Sequence, residues 1–208
     1  MAKTPAQRAA KHGNAATPPV APVVNTSTQR SPHKAQSNAN MLLIAGSVAC
    51  LFLFWYFHLL TLNQMTDISG GLTMPDSMVF GFDVAHVEAL RSAMDSDARG
   101  QLQFVHKTAG MLFPLVLGLV AMTMIAMNVA KKSLRRILWI FPVLFAVAQL
   151  WANVSIDNML GAETLDSGAV ALASALVSAS WLLLILTLAS IGVALFLGRK
   201  KNPVPSQA

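Results

Sequence analysis

The sequence predicts an all-α protein: a four-helix transmembrane bundle with a short helical cap in its first extracytoplasmic loop and a disordered N-terminal arm. Three observations lead there. The 208 residues are 54% hydrophobic and only 12% charged, about half the charge of a soluble domain, with a mean hydropathy of +0.54. Four apolar runs, at residues 41–62, 108–130, 137–154 and 169–197, reach or approach the roughly 20 residues a helix needs to cross the hydrocarbon. The charges are also sorted along the chain. Basic residues gather before the first run, between the second and third, and after the fourth, whereas all nine acids lie in the other two loops. Basic flanks resist translocation, so the pattern predicts cytoplasmic termini and two acidic outer loops.

Residues 1–40 are rich in Ala, Pro, Ser, Thr, Gln and Asn, which bury too little apolar surface to fold. Lys3, Arg8, Lys11, Arg30 and Lys34 give this arm its charge. The following apolar run starts too late and runs too long for a signal peptide, and "SVAC" before Cys50 lacks the leucine of a lipoprotein box. A single cysteine excludes an internal disulfide and a CxxC exchanger. The sequence pI near 9.9 would suit nucleic acid, but the arm holds no Phe, Trp or Tyr on which a base could stack. Attraction to anionic lipid, about 1 kcal/mol per basic residue near the surface, accounts for the charge; the partners expected are the bilayer and other integral membrane subunits, not nucleic acid.

The first outer loop, residues 63–107, is water-loving between lipid-loving neighbours. "NQMTDISGGLTMPDSMVFG" contains Gly70, Gly71 and Pro75 and should be irregular. Asp83 is placed to cap a helix from Val84, along which Val84, Val87, Leu90, Arg91 and Met94 follow a helical period. Asp95 or Asp97 can cap a second helix running through His106 into the second span. The apolar stripe of Val84, Val87, Leu90 and Met94 needs a partner (the bundle top, the bilayer surface or another protein), and docking of another protein is the role expected of it.

In the second and third spans Pro114 and Pro142 each remove a backbone hydrogen bond and should kink their helices. Trp139 and Trp151 lie near the ends of the third, at headgroup level. The fourth run exceeds the bilayer and must tilt or project. In its outer half Ala171, Ala175 and Ala179 recur every four residues, as do Ser174 and Ser178. Small residues at that spacing let helices approach closely, and the sequence leaves open whether the neighbour belongs to this chain or another.

Chemistry is sparse. No span has a charged residue in its central part, where such groups mark function. Asn128, Gln149 and Asn153 are expected to make interhelical hydrogen bonds, worth roughly 0.6–2 kcal/mol. No catalytic, metal or cofactor residue is assigned. The nearest to ligands are His58 and His106, one closing span one and the other opening span two. Facing histidines in a bundle can hold haem iron or another metal, but no third ligand is evident and an interfacial histidine is ordinary. His86 falls on the polar side of the loop helix, and His12 and His33 lie in the arm. Phosphate-loop, nucleophile-elbow and HExxH motifs are absent.

"MPDSMVFGFDVAHVEALRSAMDSDARGQLQFVHKTAGMLFPLVLGL" with "FAVAQLWANV" resembles a loose family of uncharacterised bacterial four-span membrane proteins over about residues 74–155. Leu112, Phe113, Pro114 and Asn153 match it, whereas Gly110, Gln149 and Ala152 stand where that family tends to carry acids. The resemblance implies the four-span topology and no activity, and the missing acids argue against an inherited intramembrane proton route.

The function expected from the sequence is that of an accessory or assembly subunit of a larger membrane complex, a respiratory one by expectation, in the bacterial inner membrane. A small transporter or channel component is the alternative. A haem- or metal-binding electron-transfer protein is the third.

Overall fold

The computed structural model describes residues 32–201, with side chains placed for residues 38–199. Most of the expected arm at 1–40, and the tail from 202 onward, lie outside the described residues. Within the arm one expectation is corrected: α1 (Pro32–Phe54) begins inside it. Proline is at home in a first turn, where its missing N–H would be unbonded anyway, and Lys34, Ala35 and Gln36 are good helix formers ahead of an apolar run. The chain divides into two units at Asn38, and the packing described below is that of the second, from Ala39 onward.

After α1 come a π-helical turn (Trp55–Thr61), α2 (Leu62–Ile68), a 3-10 turn (Pro75–Ser77), α3 (Val84–Ala93), α4 (Ser96–Lys107), α5 (Ala109–Asn128), α6 (Lys132–Gly161) and α7 (Ser167–Lys201). There is no strand among the described residues. Four helical stretches are long and apolar enough to cross a membrane: Asn38–Ile68, Ser96–Asn128, Lys132–Gly161 and Ser167–Arg199. The chain is a multi-pass membrane protein built as an all-α bundle. Three of the four stretches overrun their apolar runs on the side of the acidic loops, at residues 63–68, 96–107 and 155–161. The 30 residues of α6 extend about 45 Å at 1.5 Å per residue, against a hydrocarbon core of about 30 Å, so its last turns stand in the headgroups and beyond.

The core has three layers. At the inner end Ile125, Val129, Leu138 and Ala194 meet. In the middle Cys50, Phe113, Leu117, Val120, Phe145 and Leu184 pack together. The largest layer is the outer one, where Phe57, Leu62 and Met65 of the first span join Ile156, Met159 and Val170 of α6 and α7, and the outer loop adds Met74, Val87, Leu90 and Leu102. α5 and α6 continue through Pro114 and Pro142, both buried. They approach closely where Gly118 lies 3.6 Å (from its would-be Cβ) from the carbonyl oxygen of Pro142.

The cap follows its sequence signals closely. Asp83 accepts from the His86 N–H at 2.9 Å, and Asp95, rather than Asp97, accepts from the Ala98 N–H at 2.8 Å. α4 breaks at Thr108 before α5 begins. One expectation is corrected here. Val87 and Leu90 are fully buried, Met94 is 3% exposed, and Val84 packs against them, all inside the core of this same chain. A three-turn helix cannot keep such a stripe in water, and the nearest apolar surface is the top of its own bundle. The stripe is therefore not a face for a foreign partner. Arg91 fastens the cap from the other side, donating to the Ala162 carbonyl and, at 3.3 Å, to that of Glu163. These carbonyls follow the C-terminus of α6, where a cation is favoured.

Candidate functional site

A buried cluster of ionisable groups lies under the cap, assembled from four separate elements. His106 comes from the last turn of α4, Asp76 from the 3-10 turn of the loop, Asp157 from the outer part of α6, and His58 from the π-helical turn of the first span. Asp157 is 20 residues beyond Ile137, or about 30 Å along α6, which places the cluster at the outer edge of the hydrocarbon.

Local sequence accounts for each position. Pro75 at the start of the 3-10 turn fixes the backbone that delivers Asp76 inward, and both residues are buried. The indole N–H of Trp181, on α7, donates to the Asp76 carbonyl at 2.9 Å and clamps the turn to the bundle. The Gly81–Phe82 stretch closes the same loop against α7. Gly81 has φ +88°, a conformation glycine tolerates, and a Cβ there would come within 2.5 Å of the Ser174 hydroxyl. The Phe82 N–H donates to that hydroxyl at 2.9 Å. In the first span the Thr61 hydroxyl donates to the Tyr56 carbonyl five residues back, at 2.8 Å, as the wide turn requires. Such π-turns occur often at functional sites, and this one turns Phe57, His58 and Thr61 inward together.

His106 is held at both ring nitrogens. Nδ1 lies 2.6 Å from Asp157 Oδ1 and Nε2 3.1 Å from Asp76 Oδ2. Ionised carboxylates only accept hydrogen bonds, so with both acids charged each ring nitrogen donates and His106 is an imidazolium between two carboxylates. Burial alone would raise the Asp76 carboxyl above its ordinary value. The charge and hydrogen bond of His106 outweigh that and hold it below, with His58 adding to the effect. Asp157 is the member closest to solvent, its side chain 14% exposed.

Beyond Asp76 the cluster continues to His58, whose ring is caged by Phe54, Phe57, Phe113 and Trp181 at centroid distances of 4.9, 4.7, 5.8 and 5.1 Å. His58 Nδ1 and Asp76 Oδ1 are both buried without a hydrogen-bond partner. Asn153 adds a third such atom, its Nδ2, 2.8 Å from where a Cβ on Gly110 would sit. The arrangement alternates base and acid (His58, Asp76, His106, Asp157), can bind and pass protons, and is one positive charge short of neutrality while His58 is uncharged. It does not suit a metal. Neither nitrogen of His106 has a free lone pair, and no group of three potential ligands occurs among the described residues. His58 and His106 come close, with Phe57 packed against both rings, but they do not present two free imidazoles.

Other candidate residues fall elsewhere. Two amides expected to bridge helices bond within their own: Asn128 Nδ2 donates to the Met124 carbonyl at 2.8 Å, and Gln149 Nε2 to Asn153 Oδ1 at 3.1 Å. Each reaches an acceptor four residues away, the nearest available in an otherwise apolar interior. The small residues of α7 divide. Ser174 and Ser178 receive the Gly81 turn, so on that side the close neighbour is a loop of this chain, not a helix. Ala171 and Ala175 are exposed and Ala179 is half-buried. His86, on the polar side of α3, faces the Thr73 carbonyl at 2.9 Å.

Sequence reasoning missed Asp76 and Asp157, which it places only among the acids of the two outer loops. The available signal for Asp76 was its position directly after a proline and two residues after Met74, both of which are buried with it. No family model, curated protein or solved structure matches the chain.

Proposed function

We propose that the protein is an accessory or assembly subunit of a larger membrane complex, in a bacterial inner membrane with both termini cytoplasmic, and that it acts by lateral helix packing. The observation that carries this reading is the exposed ridge of Ala171 and Ala175 on α7, continued by half-buried Ala179. A helix that met only lipid would have no need of small side chains in register, whereas a foreign helix needs them to approach. The cap contributes by rigidity, since its apolar stripe is spent on the bundle and its loop is clamped by Trp181, Ser174 and Arg91.

The test is recovery of partners in mild detergent. Wild-type protein should co-purify with a defined set of integral subunits. Ala175→Leu should lose them at least tenfold while its own melting temperature stays unchanged, because residue 175 is exposed on this chain. If no subunit co-purifies, or if Ala175→Leu retains them fully, the accessory reading is wrong.

A second reading, a small transporter component, is favoured by one observation: ionisable groups buried at the membrane boundary are costly and usually functional. Proton-coupled flux in liposomes that Asp76→Asn abolishes would establish it in place of the first.

A further inference from the structure

We propose that the inner end of the bundle carries a binding site for the phosphodiester headgroup of an anionic phospholipid, formed by the α5–α6 link together with the end of α7. The proposal is independent of the accessory reading, since it concerns the lipid and the opposite end of the molecule from the cap.

Two basic segments far apart in sequence lie at this end. Lys131, Lys132, Arg135 and Arg136 occupy the link and the first turn of α6. Arg199 lies near the end of α7, 63 residues beyond Arg136 in the numbering. Gly198 joins them: a Cβ on it would collide with the Asn128 side chain at the end of α5. The contact brings the backbone before Arg199 against the end of α5, next to the residues of the link. Orientation rules require basic residues on this side of the membrane but not that two segments converge.

The cations there have no acid to pair with. All nine acids of the chain lie in the two outer loops, and no salt bridge at this end occurs among the described residues. Lys131, Lys132, Arg136 and Arg199 are exposed. Arg135 is held in place, its guanidinium carbon 5.6 Å over the ring of Trp139. That indole is itself fixed, donating to the Met122 carbonyl at 3.0 Å. A guanidinium stacked on an anchored indole keeps its N–H fork free for a planar or tetrahedral oxyanion. The apolar flank that acyl chains would cover is present too: Ile137 and Ile140, next to these cations on α6, are 52% and 51% exposed. Unpaired cations over an apolar wall at the level of an interfacial tryptophan match an anionic lipid, with headgroup phosphate above and chains below.

The test is native mass spectrometry of the full chain in detergent, titrated with phosphatidylglycerol and, separately, with phosphatidylcholine of the same acyl chains. Phosphatidylglycerol should bind in preference. Removing a charge should weaken it by about fivefold, the equivalent of roughly 1 kcal/mol per basic residue. Arg199→Gln should show about that loss and Arg135→Gln with Arg136→Gln a compounded one, while Lys107→Gln at the other end shows none. Arg135→Lys keeps the charge and loses the fork, so a partial loss is expected from it. Melting temperatures in lipid-free detergent should stay at the wild-type value in each variant. Equal retention of the two lipids, losses no greater than with Lys107→Gln, or losses that follow a fall in melting temperature would overturn the proposal. Complete displacement by millimolar inorganic phosphate would also overturn it, by showing a free-anion site instead.

Discussion

His106 shows what a single side chain can be asked to hold. It is 2% exposed and sits between carboxylates from two other elements, so loss of either leaves one buried ring N–H without its charged acceptor. Removing one partner from a buried ionic network, with the hydrogen bond it makes, costs about 3–5 kcal/mol. Asp76→Asn should therefore destabilise the outer layer by an amount of that order, and Asp157→Asn by less, since Asp157 retains some solvent. A pH dependence follows from Asp76. Its folded carboxyl is held below the ordinary value of 3.8, so its pairing contributes fully above that pH. The contribution is lost as pH falls below 3.8 and through the depressed folded value. Thermal melts of detergent-solubilised protein between pH 6 and pH 2 should show a steep acid limb in the wild type and a shallower one in Asp76→Asn. Identical acid limbs in the two proteins would mean the pairing does not set the acid stability.

At the scale of elements, the long helices were legible and the site was not, for a common reason. Length and apolarity of a run are local properties, and they located all four spans; hydrogen-bonding reach is local too, and it identified the cap Asp83 and narrowed the second cap to Asp95 or Asp97, of which the structure uses Asp95. The cluster joins Asp76, His106 and Asp157, separated by 30 and 51 residues, and no periodicity or spacing reports such a meeting. The π-turn that brings His58 inward has no proline or glycine to announce it. The apolar stripe of α3 lies between these cases: its existence was legible, but its partner was a matter of tertiary packing. That partner decides what mutation will do. Val87 and Leu90 are wholly buried in the outer core, each worth about 1.5–3 kcal/mol at full burial. Changing both to Ser should release α3 from the bundle. Hydrogen exchange over residues 84–93 should then rise at least tenfold in the isolated protein, while exchange in the middle of α5 stays low. Unchanged exchange in 84–93 would mean that the cap is held by its polar clamps and not by the stripe.

Taken whole, the molecule has two chemically opposite ends joined by an apolar middle. The outer end carries the acids, buried or solvated, and a helical cap tied down by Arg91 and Trp181. The inner end carries unpaired cations and no acid. Lys131, on the link, is separated from the cap by the full length of α5, 20 residues or about 30 Å, so the two ends lie on opposite membrane surfaces. Basic residues resist translocation, which predicts that the cationic surface faces the cytoplasm. The prediction can be tested with single cysteines in a Cys50→Ala background, where the native thiol is buried and a small residue replaces it. Ser92 on α3, Ser167 at the start of α7 and Ser133 at the start of α6 are all exposed, so accessibility of the label depends only on the side of the membrane. In intact cells an impermeant maleimide should modify Ser92→Cys and Ser167→Cys and leave Ser133→Cys unlabelled until the membrane is opened. Labelling of Ser133→Cys with protection of the other two would invert the orientation, placing the acidic cap in the cytoplasm and the cationic end outside.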